Sequence, residues 1–380
     1  HLGPVRARAG RGRGNRRLCG TSRCFGHGTG ALSQLARSGE GALRHPPSSP
    51  AGMTLPQRPA RDHGGGLDAA AARHGGPRAA WLDLSTGINP VPYPAKEVPP
   101  SCWTDLPDTA AMARLEAAAR RVWQVPETAR IIAAPGASAL IARLPELTEA
   151  ASVHIPGPTY NEHAAAFTLA GREVTEDHAA PARVLVHPNN PDGRLWTAAD
   201  ILPGAAALTV IDESFCDVCP QHSLVQHTAR PGPLILKSFG KFWGLAGLRL
   251  GFAIAHPDTL RSVRGVDLTD LLGPWPVSGP ALEIGASALE ETGWAEATRA
   301  RLAEDSARLD DLMQRAGARC VGGTPLFRLF DVGDAAAWQT GLAGGQVWTR
   351  RFPYSDRWLR LGLPAPDRWV QLQRALERLT

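Results

Sequence analysis

The chain has 380 residues, of which 43% are hydrophobic and 20% are charged, and its formal net charge at pH 7 is +5. This composition is typical of a globular protein, and the length suggests two or three domains with large buried cores. The sequence contains no run of about 18 or more apolar residues, so it predicts no membrane-spanning helix and no membrane partner.

Positive charge is concentrated at the N-terminal end. Residues 1–52 contain nine arginines and one acidic residue, a net charge of +8, which leaves −3 for the rest of the chain. This stretch lacks helical or strand periodicity and is predicted to be a disordered basic extension. We favour an over-extended translation start, because Met53 opens the patterned sequence. An RNA-binding arm and a targeting peptide are the alternatives, and we expect no nucleic-acid partner.

The cysteines are spaced neither as a disulfide framework nor as a zinc site. Cys216 and Cys219 form one CxxC without a second pair, so we expect reduced thiols beside a core strand and no bound metal. Reduced thiols indicate a reducing, cytoplasmic compartment. The six cysteines are Cys19, Cys24, Cys102, Cys216, Cys219 and Cys320.

Six apolar runs are predicted to be strands of one sheet. They are mainly apolar and do not alternate regularly with polar residues, which is typical of strands buried on both faces. The intervals are long enough for crossover helices, so we expect an α/β fold with an open, mostly parallel sheet and helices on both faces. The runs are 130–134, 152–156, 182–188, 207–213, 234–238 and 249–255.

The pattern changes beyond residue 280. Residues 281–317 are predicted to form one helix that ends at Gly317, and short strands then alternate with helices, as in a smaller α+β domain. The expected organisation is a basic extension, an N-terminal arm that contributes to substrate binding, a large cofactor-binding domain and a small C-terminal domain. These segments are 1–52, 53–100, 101–265 and 266–380, respectively.

Polar residues follow the predicted strands, at the edge where open α/β sheets bind ligands. Their types suit a pyridine ring that carries an aldehyde, a phenolic oxygen and a phosphate. Such a ring needs a lysine to form an imine and an acid at its nitrogen. It also needs a donor to the phenolate, an aromatic ring to stack on, and a helix N-terminus with a cation for the phosphate. These places are filled by Lys241, Asp212, Asn190, Tyr160, and the turn Gly136, Ala137 and Ser138 with Arg249.

Three motifs carry a family resemblance: "NNPDG" (189–193), "IDES" (211–214) and "SFGKFWGLAGLRLGF" (238–252). Together they resemble the signatures of fold type I pyridoxal-phosphate enzymes, close to the histidinol-phosphate aminotransferase branch. The resemblance extends from about residue 60 to the C-terminus and implies pyridoxal 5'-phosphate as cofactor. It implies a homodimer, and roles for Lys241 in the Schiff base, Asp212 at the pyridinium, and Ser238 with Arg249 at the phosphate.

Two features around these motifs need comment. Relatives commonly carry tyrosine where Phe215 lies, so one donor to the phenolate is missing. This loss is expected to raise the pKa of the imine, because the phenolate that stabilises the protonated imine is less well held. Lys237 has no matching role and is expected to be structural or to reach solvent.

The position of the substrate carboxylate decides which bond breaks, and arginine has the planar fork that holds a carboxylate. By resemblance, Arg360 is the carboxylate arginine and Arg350 is a second arginine of the histidinol-phosphate branch. Near the N-terminus, His63-Gly64-Gly65 and the turn 85–90 resemble the threonine-phosphate decarboxylases of cobalamin biosynthesis. A histidine beside glycine amides can form an anion nest for the substrate's phosphate. Some relatives carry asparagine at the position of Gly87.

The favoured function is therefore decarboxylation of L-threonine O-3-phosphate to (R)-1-aminopropan-2-yl phosphate. A histidinol-phosphate or aromatic aminotransferase is the alternative, because it would use the same cofactor motifs. A cofactor-sensing transcriptional regulator is a remote alternative, since residues 1–52 lack the paired helices of a helix-turn-helix. The substrate, a small phosphorylated amino acid, is expected to contact His63, Gly64, Gly87, Asn190, Arg350 and Arg360.

Overall fold

A computed structural model describes residues 63–201 and 207–379 of the chain. The predictions about the basic extension and the start of the N-terminal arm concern residues outside these ranges. The strands are β1 (Leu82–Asp83), β2 (Arg130–Ala134), β3 (Ser152–His154), β4 (Glu173–Thr175), β5 (Ala182–Val186), β6 (Leu208–Asp212), β7 (Pro233–Ser238), β8 (Gly251–Ala255), β9 (Arg319–Thr324), β10 (Phe327–Asp331), β11 (Val347–Trp348), β12 (Arg350–Phe352) and β13 (Ser355–Gly362).

The α-helices are interspersed with the strands along the chain. They are α1 (Leu67–His74), α2 (Ser101–Thr104), α3 (Thr109–Trp123), α4 (Ala137–Ile141), α5 (Asn161–Leu169), α6 (Ala198–Ile201), α7 (Leu268–Leu272), α8 (Gly279–Glu290), α9 (Thr292–Arg315), α10 (Ala335–Gly344) and α11 (Trp369–Glu377). Within the described ranges, no helix has both the length and the apolarity needed to cross a bilayer.

A seven-stranded sheet forms the centre of the fold, in the order β2-β8-β7-β6-β5-β3-β4. Strand β8 runs in the opposite direction to the other six strands, which are parallel to one another. The prediction of an open, mostly parallel sheet is therefore confirmed. Every residue of β5, β6 and β8 is buried, because apolar clusters cover both faces of the sheet. All six predicted runs contain a strand. The edge strand β4 was not predicted, since its polar, largely exposed residues do not form an apolar run.

Two smaller sheets lie towards the C-terminus. Strands β12, β13, β10 and β9 form an antiparallel sheet, and its register places Arg350 directly opposite Arg360. Strand β1 pairs in parallel with β11 and thereby joins residues 82–83 to the C-terminal part of the chain. The domain boundary near residue 265 stays a prediction.

The long helix predicted over 281–317 is wrong in one respect. It is two helices, α8 and α9, separated at Glu291, whose backbone leaves the helical region with φ −91° and ψ 71°. Thr292 and Gly293, which follow, are poor helix formers. The carboxylate of Glu291 is paired with Lys96 at 2.7 Å. The predicted end at Gly317 is confirmed by its φ of 93°.

Lys237 lies on β7, an inner strand of the seven-stranded sheet, and only 1% of its surface is exposed. Its ammonium group lies 2.7 Å from Glu213 and 3.2 Å from Asp217. Burial by itself lowers the pKa of Lys237, but the two carboxylates outweigh this and raise the pKa above its ordinary value. Lys237 is therefore a structural cation and does not reach solvent.

Replacing Lys237 with methionine is expected to destabilise the fold by about 3–5 kcal/mol, because two buried carboxylates lose their cation. Thermal unfolding followed by circular dichroism measures this loss. Lys96→Met is the matched control, since Lys96 is exposed and forms a surface ion pair. Equal stability of the two variants would contradict a structural role for Lys237.

Candidate active site

A cavity of about 360 Å³ opens at the carboxyl edge of the parallel strands. Because β8 is antiparallel, its first residue lies at this same edge, where Gly251 pairs with both Ala134 and Ser238. Of the predicted site residues, the following line the cavity: His63, Gly64, Gly87, Ala137, Ser138, Tyr160, Asn190, Asp212, Ser238, Lys241, Arg249, Arg350 and Arg360. The fold thus brings together residues that are far apart in the chain, from His63 to Arg360.

The amine of Lys241 projects into the cavity, 5.4 Å from the ring centre of Phe215. Burial lowers the pKa of Lys241 to about 8; Arg360 and Arg249 act in the same direction, and Asp212 opposes them. A lysine with a lowered pKa is more often neutral near pH 7 and is then a competent nucleophile or proton acceptor.

Asp212 is 3% exposed and is held by three hydrogen bonds. Its Oδ1 accepts from the backbone N–H of Ser214 at 3.0 Å and from the Ser214 hydroxyl at 2.5 Å, and its Oδ2 lies 2.8 Å from Nε2 of His163. Burial alone would raise the pKa of Asp212, but the bonds from His163 and Ser214 outweigh it and lower the pKa. The side chain is therefore an anion, as a partner for a protonated ring nitrogen must be.

His163 is a site residue that sequence analysis missed. It is fully buried on α5, and because the Asp212 carboxylate can only accept, His163 donates from Nε2. Among the described residues, none forms a hydrogen bond with its Nδ1. The available signal was its position three residues after Tyr160, which places it one helical turn from the cavity.

Asp212→Ala is expected to retain some bound cofactor and to lose activity, because an unprotonated ring nitrogen is a poor electron sink. Cofactor content is measured by absorbance and turnover by product formation. Asp270→Ala, which removes an exposed carboxylate on α7, is the matched control. Full activity of Asp212→Ala would remove this residue from the site.

The turn before α4 lies against Arg249. Gly136 has φ 85°, and a Cβ there would be only 2.5 Å from Nη2 of Arg249. Gly251 admits no side chain either, because its Cβ would lie 2.4 Å from the backbone nitrogen of Ala137. Ser138 and Ser238 also line the cavity. A guanidinium, the backbone amides of a turn that enters a helix, and serine hydroxyls are donors that can hold a phosphate.

Arg360 is 5% exposed and orients Asn190. Its Nη1 donates to Oδ1 of Asn190, and its Nη2 donates to the carbonyl oxygen of Ser85 at 2.8 Å. Because arginine only donates, the amide oxygen of Asn190 is used here and its NH₂ group is left to donate to a ligand. Burial, reinforced by Arg350, lowers the pKa of Arg360 to about 10, so the group is still cationic near pH 7. Its Nε is buried and has no hydrogen-bond partner in the part of the chain that the structure describes.

The His63-Gly64-Gly65 turn packs on Ser85. A Cβ on Gly64 would lie 2.4 Å from the carbonyl oxygen of Ser85, and the N–H of Gly65 donates to the Ser85 hydroxyl at 2.6 Å. Nη1 of Arg350 donates to the carbonyl oxygen of His63. The His63 ring is 3.0 Å from Glu162, a carboxylate at this site that sequence analysis missed. The turn and Arg350 therefore form one corner of the cavity, which holds the Arg350 guanidinium and the pair of His63 and Glu162.

Gly87 and Phe215, the two positions at which the family resemblance led us to expect other residues, lie side by side in the structure. A Cβ on Gly87 would lie 3.0 Å from Phe215 and 2.8 Å from Phe327. The two phenylalanine rings pack edge to face at 4.9 Å. An asparagine at position 87 would displace this aromatic pair, so the glycine and the missing hydroxyl belong to one packing arrangement.

These residues fit pyridoxal 5'-phosphate. The phosphate donors at Gly136 and Arg249, the free amide donor of Asn190, the anionic Asp212 and the amine of Lys241 match its functional groups, each at one part of the cavity. The Tyr160 ring lines the cavity beside them.

Comparisons with known proteins agree with this geometry. The family model for aminotransferase class I and II matches residues 103–379. Threonine-phosphate decarboxylases of Sinorhizobium sp. and Pseudomonas aeruginosa are 41% and 39% identical to the chain. These alignments cover 80% and 83% of this chain and 93% and 97% of theirs. The structure of histidinol-phosphate aminotransferase from Sinorhizobium meliloti, solved with pyridoxal-5'-phosphate, has a TM-score of 0.67 at 17% sequence identity, and the match covers 83% of this chain and 95% of that one.

The fold and the site define a pyridoxal-phosphate-dependent enzyme of fold type I. The chain belongs to the aminotransferase class I and II family, whose model covers most of its length. Pyridoxal 5'-phosphate is its cofactor, as the resemblance implied.

Proposed function

We propose that the enzyme decarboxylates L-threonine O-3-phosphate to (R)-1-aminopropan-2-yl phosphate, a step of cobalamin biosynthesis. The observation that carries this proposal is the pairing of Arg350 with Arg360, which gives the cavity two cationic positions in addition to Arg249. A substrate with both a carboxylate and a phosphate requires two such positions. The names of the two relatives at 39–41% identity support the same reaction.

Arg360 is assigned to the substrate's carboxylate. Its buried guanidinium is fixed by Ser85 and Asn190 and retains an unpartnered Nε. Arg350, with His63 and the amide of Gly64, is assigned to the substrate's phosphate. Two anchors at opposite ends of a small molecule restrict its rotation, so one bond at Cα is held in the orientation that favours cleavage.

When bound, the cofactor would supply an electron sink for the pair left at Cα as carbon dioxide departs. Asp212, as an anion, would hold a proton at the ring nitrogen. Lys241, whose pKa is lowered to about 8, carries the proton that is delivered to Cα after the Cα–carboxylate bond breaks. Phe215, Phe327 and Gly87 form an apolar wall beside this amine and exclude water from it.

We also propose a cytoplasmic homodimer. The family is commonly dimeric, and the four cysteines in the described ranges are free thiols, which is consistent with a reducing compartment. Light scattering at several protein concentrations tests the assembly. A monomer with full specific activity would contradict it.

The reaction is tested by incubating the holoenzyme with O-phosphothreonine and scoring carbon dioxide and amine product. A second incubation supplies histidinol phosphate with a 2-oxo acid acceptor, and the keto product is scored. We expect carbon dioxide in the first and little product in the second. Rapid transamination of histidinol phosphate without release of carbon dioxide from phosphothreonine would establish the aminotransferase alternative instead.

A further inference from the structure

Residues 85–93, which we call the bracing segment, lie along the main chain that carries Lys241. Three consecutive carbonyl oxygens of that chain accept hydrogen bonds from the segment. The backbone N–H of Asn89 donates to Lys241 at 3.0 Å, the Asn89 side-chain Nδ2 donates to Phe242 at 2.8 Å, and the N–H of Tyr93 donates to Trp243 at 2.9 Å. Among the described residues, these three carbonyl oxygens accept no other hydrogen bond from a residue far away in the sequence.

The two stretches approach so closely that position 244 admits no side chain. A Cβ on Gly244 would lie 2.6 Å from Cα of Pro92 and 3.0 Å from the carbonyl oxygen of Asn89, and the residue has φ 71°. Asn89 itself is 2% exposed. A displacement of the bracing segment would therefore be transmitted directly to the main chain of Lys241.

Arg301 on α9 determines how Asn89 is oriented. Its Nη2 donates to Oδ1 of Asn89 at 2.6 Å, and the same oxygen accepts from the N–H of Val91 at 3.1 Å. Since both partners donate, Oδ1 is the acceptor and the NH₂ group of Asn89 must point to the carbonyl oxygen of Phe242. Nη1 of Arg301 is paired separately with Asp305 at 3.0 Å.

The bracing segment also touches the other functional end of the cavity. The carbonyl oxygen of Ser85, its first residue, accepts from Nη2 of Arg360 at 2.8 Å. One short segment is thus hydrogen-bonded both to the carboxylate arginine and to the main chain of the lysine.

We propose that Asn89, oriented by Arg301, is a positioning residue that fixes the amine of Lys241 relative to Arg360. A misplacement of about 1 Å at a reacting group can cost roughly 100-fold in rate, so a residue that never touches the ligand can control the reaction. The inference concerns attachment of the cofactor and does not depend on the identity of the substrate.

Three variants test it. Asn89→Ala removes the side-chain bond to Phe242 and leaves the backbone bond to Lys241. Arg301→Met removes the orienting donor and leaves Asn89 in place. Asp305→Asn is the matched control, because it removes the negative charge of the other partner of Arg301 without touching the bracing segment.

The readout is the pH dependence of the rate at which the cofactor-free protein attaches pyridoxal 5'-phosphate covalently, followed by absorbance. The charged groups that face the Lys241 amine are Asp212, Arg249 and Arg360. In wild-type protein the rate should rise with a midpoint near pH 8, the pKa of this buried amine. In Asn89→Ala and Arg301→Met the amine gains access to water, so the midpoint should rise by about one unit and the rate at pH 7 should fall roughly tenfold.

Arg301→Lys, which keeps a donor on a long stem, should recover most of the loss, and Asp305→Asn should match wild type. A lower melting temperature in Asn89→Ala with an unchanged midpoint and rate would reduce the residue to a structural role and overturn the inference. An equal shift in Asp305→Asn would also overturn it. Normal attachment in a protein that releases no carbon dioxide from phosphothreonine would contradict the proposed function alone.

Discussion

Replacing Lys241 with alanine is expected to abolish the absorbance of the covalently attached cofactor and to lower turnover by at least about 10³-fold. Lys241 is the lysine whose amine lies in the cavity, with a pKa lowered to about 8. The variant would lose both the proposed nucleophile for attachment of the cofactor and the proposed donor of the proton to Cα. Absorbance spectra and product formation measure the two losses separately.

The composition of the chain makes this test unusually clean. It contains three lysines, Lys96, Lys237 and Lys241, so borohydride reduction followed by peptide mass mapping assigns the attachment site directly. Lys96→Ala is the control, because this exposed lysine is paired with Glu291 outside the cavity. A reducible imine that persists in Lys241→Ala would place the attachment elsewhere, with Lys237 as the first residue to examine.

The second large effect is expected from removing the substrate's phosphate. Free threonine should react about 10²–10⁴-fold more slowly than phosphothreonine in kcat/KM, because two charge-assisted hydrogen bonds of about 1.5–3 kcal/mol each are lost. The reacting bonds are unchanged, so the loss reports how far remote binding orients the reacting centre. Paired assays of carbon dioxide release from the two substrates measure it.

Two arginine variants separate the anchors. Arg350→Ala should reduce the difference in kcat/KM between phosphothreonine and threonine. Arg360→Ala should lower kcat/KM for both substrates. Because Arg360→Ala leaves the oxygens of Ser85 and Asn190 buried without their donor, Arg360→Lys is the variant that better preserves the fold. Arg351→Ala, which removes the exposed neighbour on β12, is the control. If the difference in kcat/KM between the two substrates were unchanged in Arg350→Ala, Arg350 would not be a residue that binds the phosphate.

The sequence alone predicted the sheet and the residues that follow its strands. The stretches 131–134 and 234–236 are apolar throughout, as is typical of strands buried on both faces, so the sequence alone predicts them. Lys241 and Asp212 could be assigned because the cofactor demands particular residue types, and because short motifs carry most of those types. The sequence did not predict the break at Glu291. Helical segments lie on both sides of this residue, and a single non-helical residue does not change the pattern of apolar positions.

Only the tertiary structure decided what holds these residues in place. His163 reaches Asp212 across 49 positions of the chain, and Arg301 reaches Asn89 across 212. Such contacts depend on where elements pack, and neither helical nor strand periodicity records which polar side chain meets another over that distance. The adjacency of Gly87 and Phe215 is of the same kind, because the fit between a missing side chain and an aromatic ring is settled by packing. Sequence therefore determined the chemical groups that the cofactor itself requires, whereas the fold determined their orientation and the contact of His163 with Asp212.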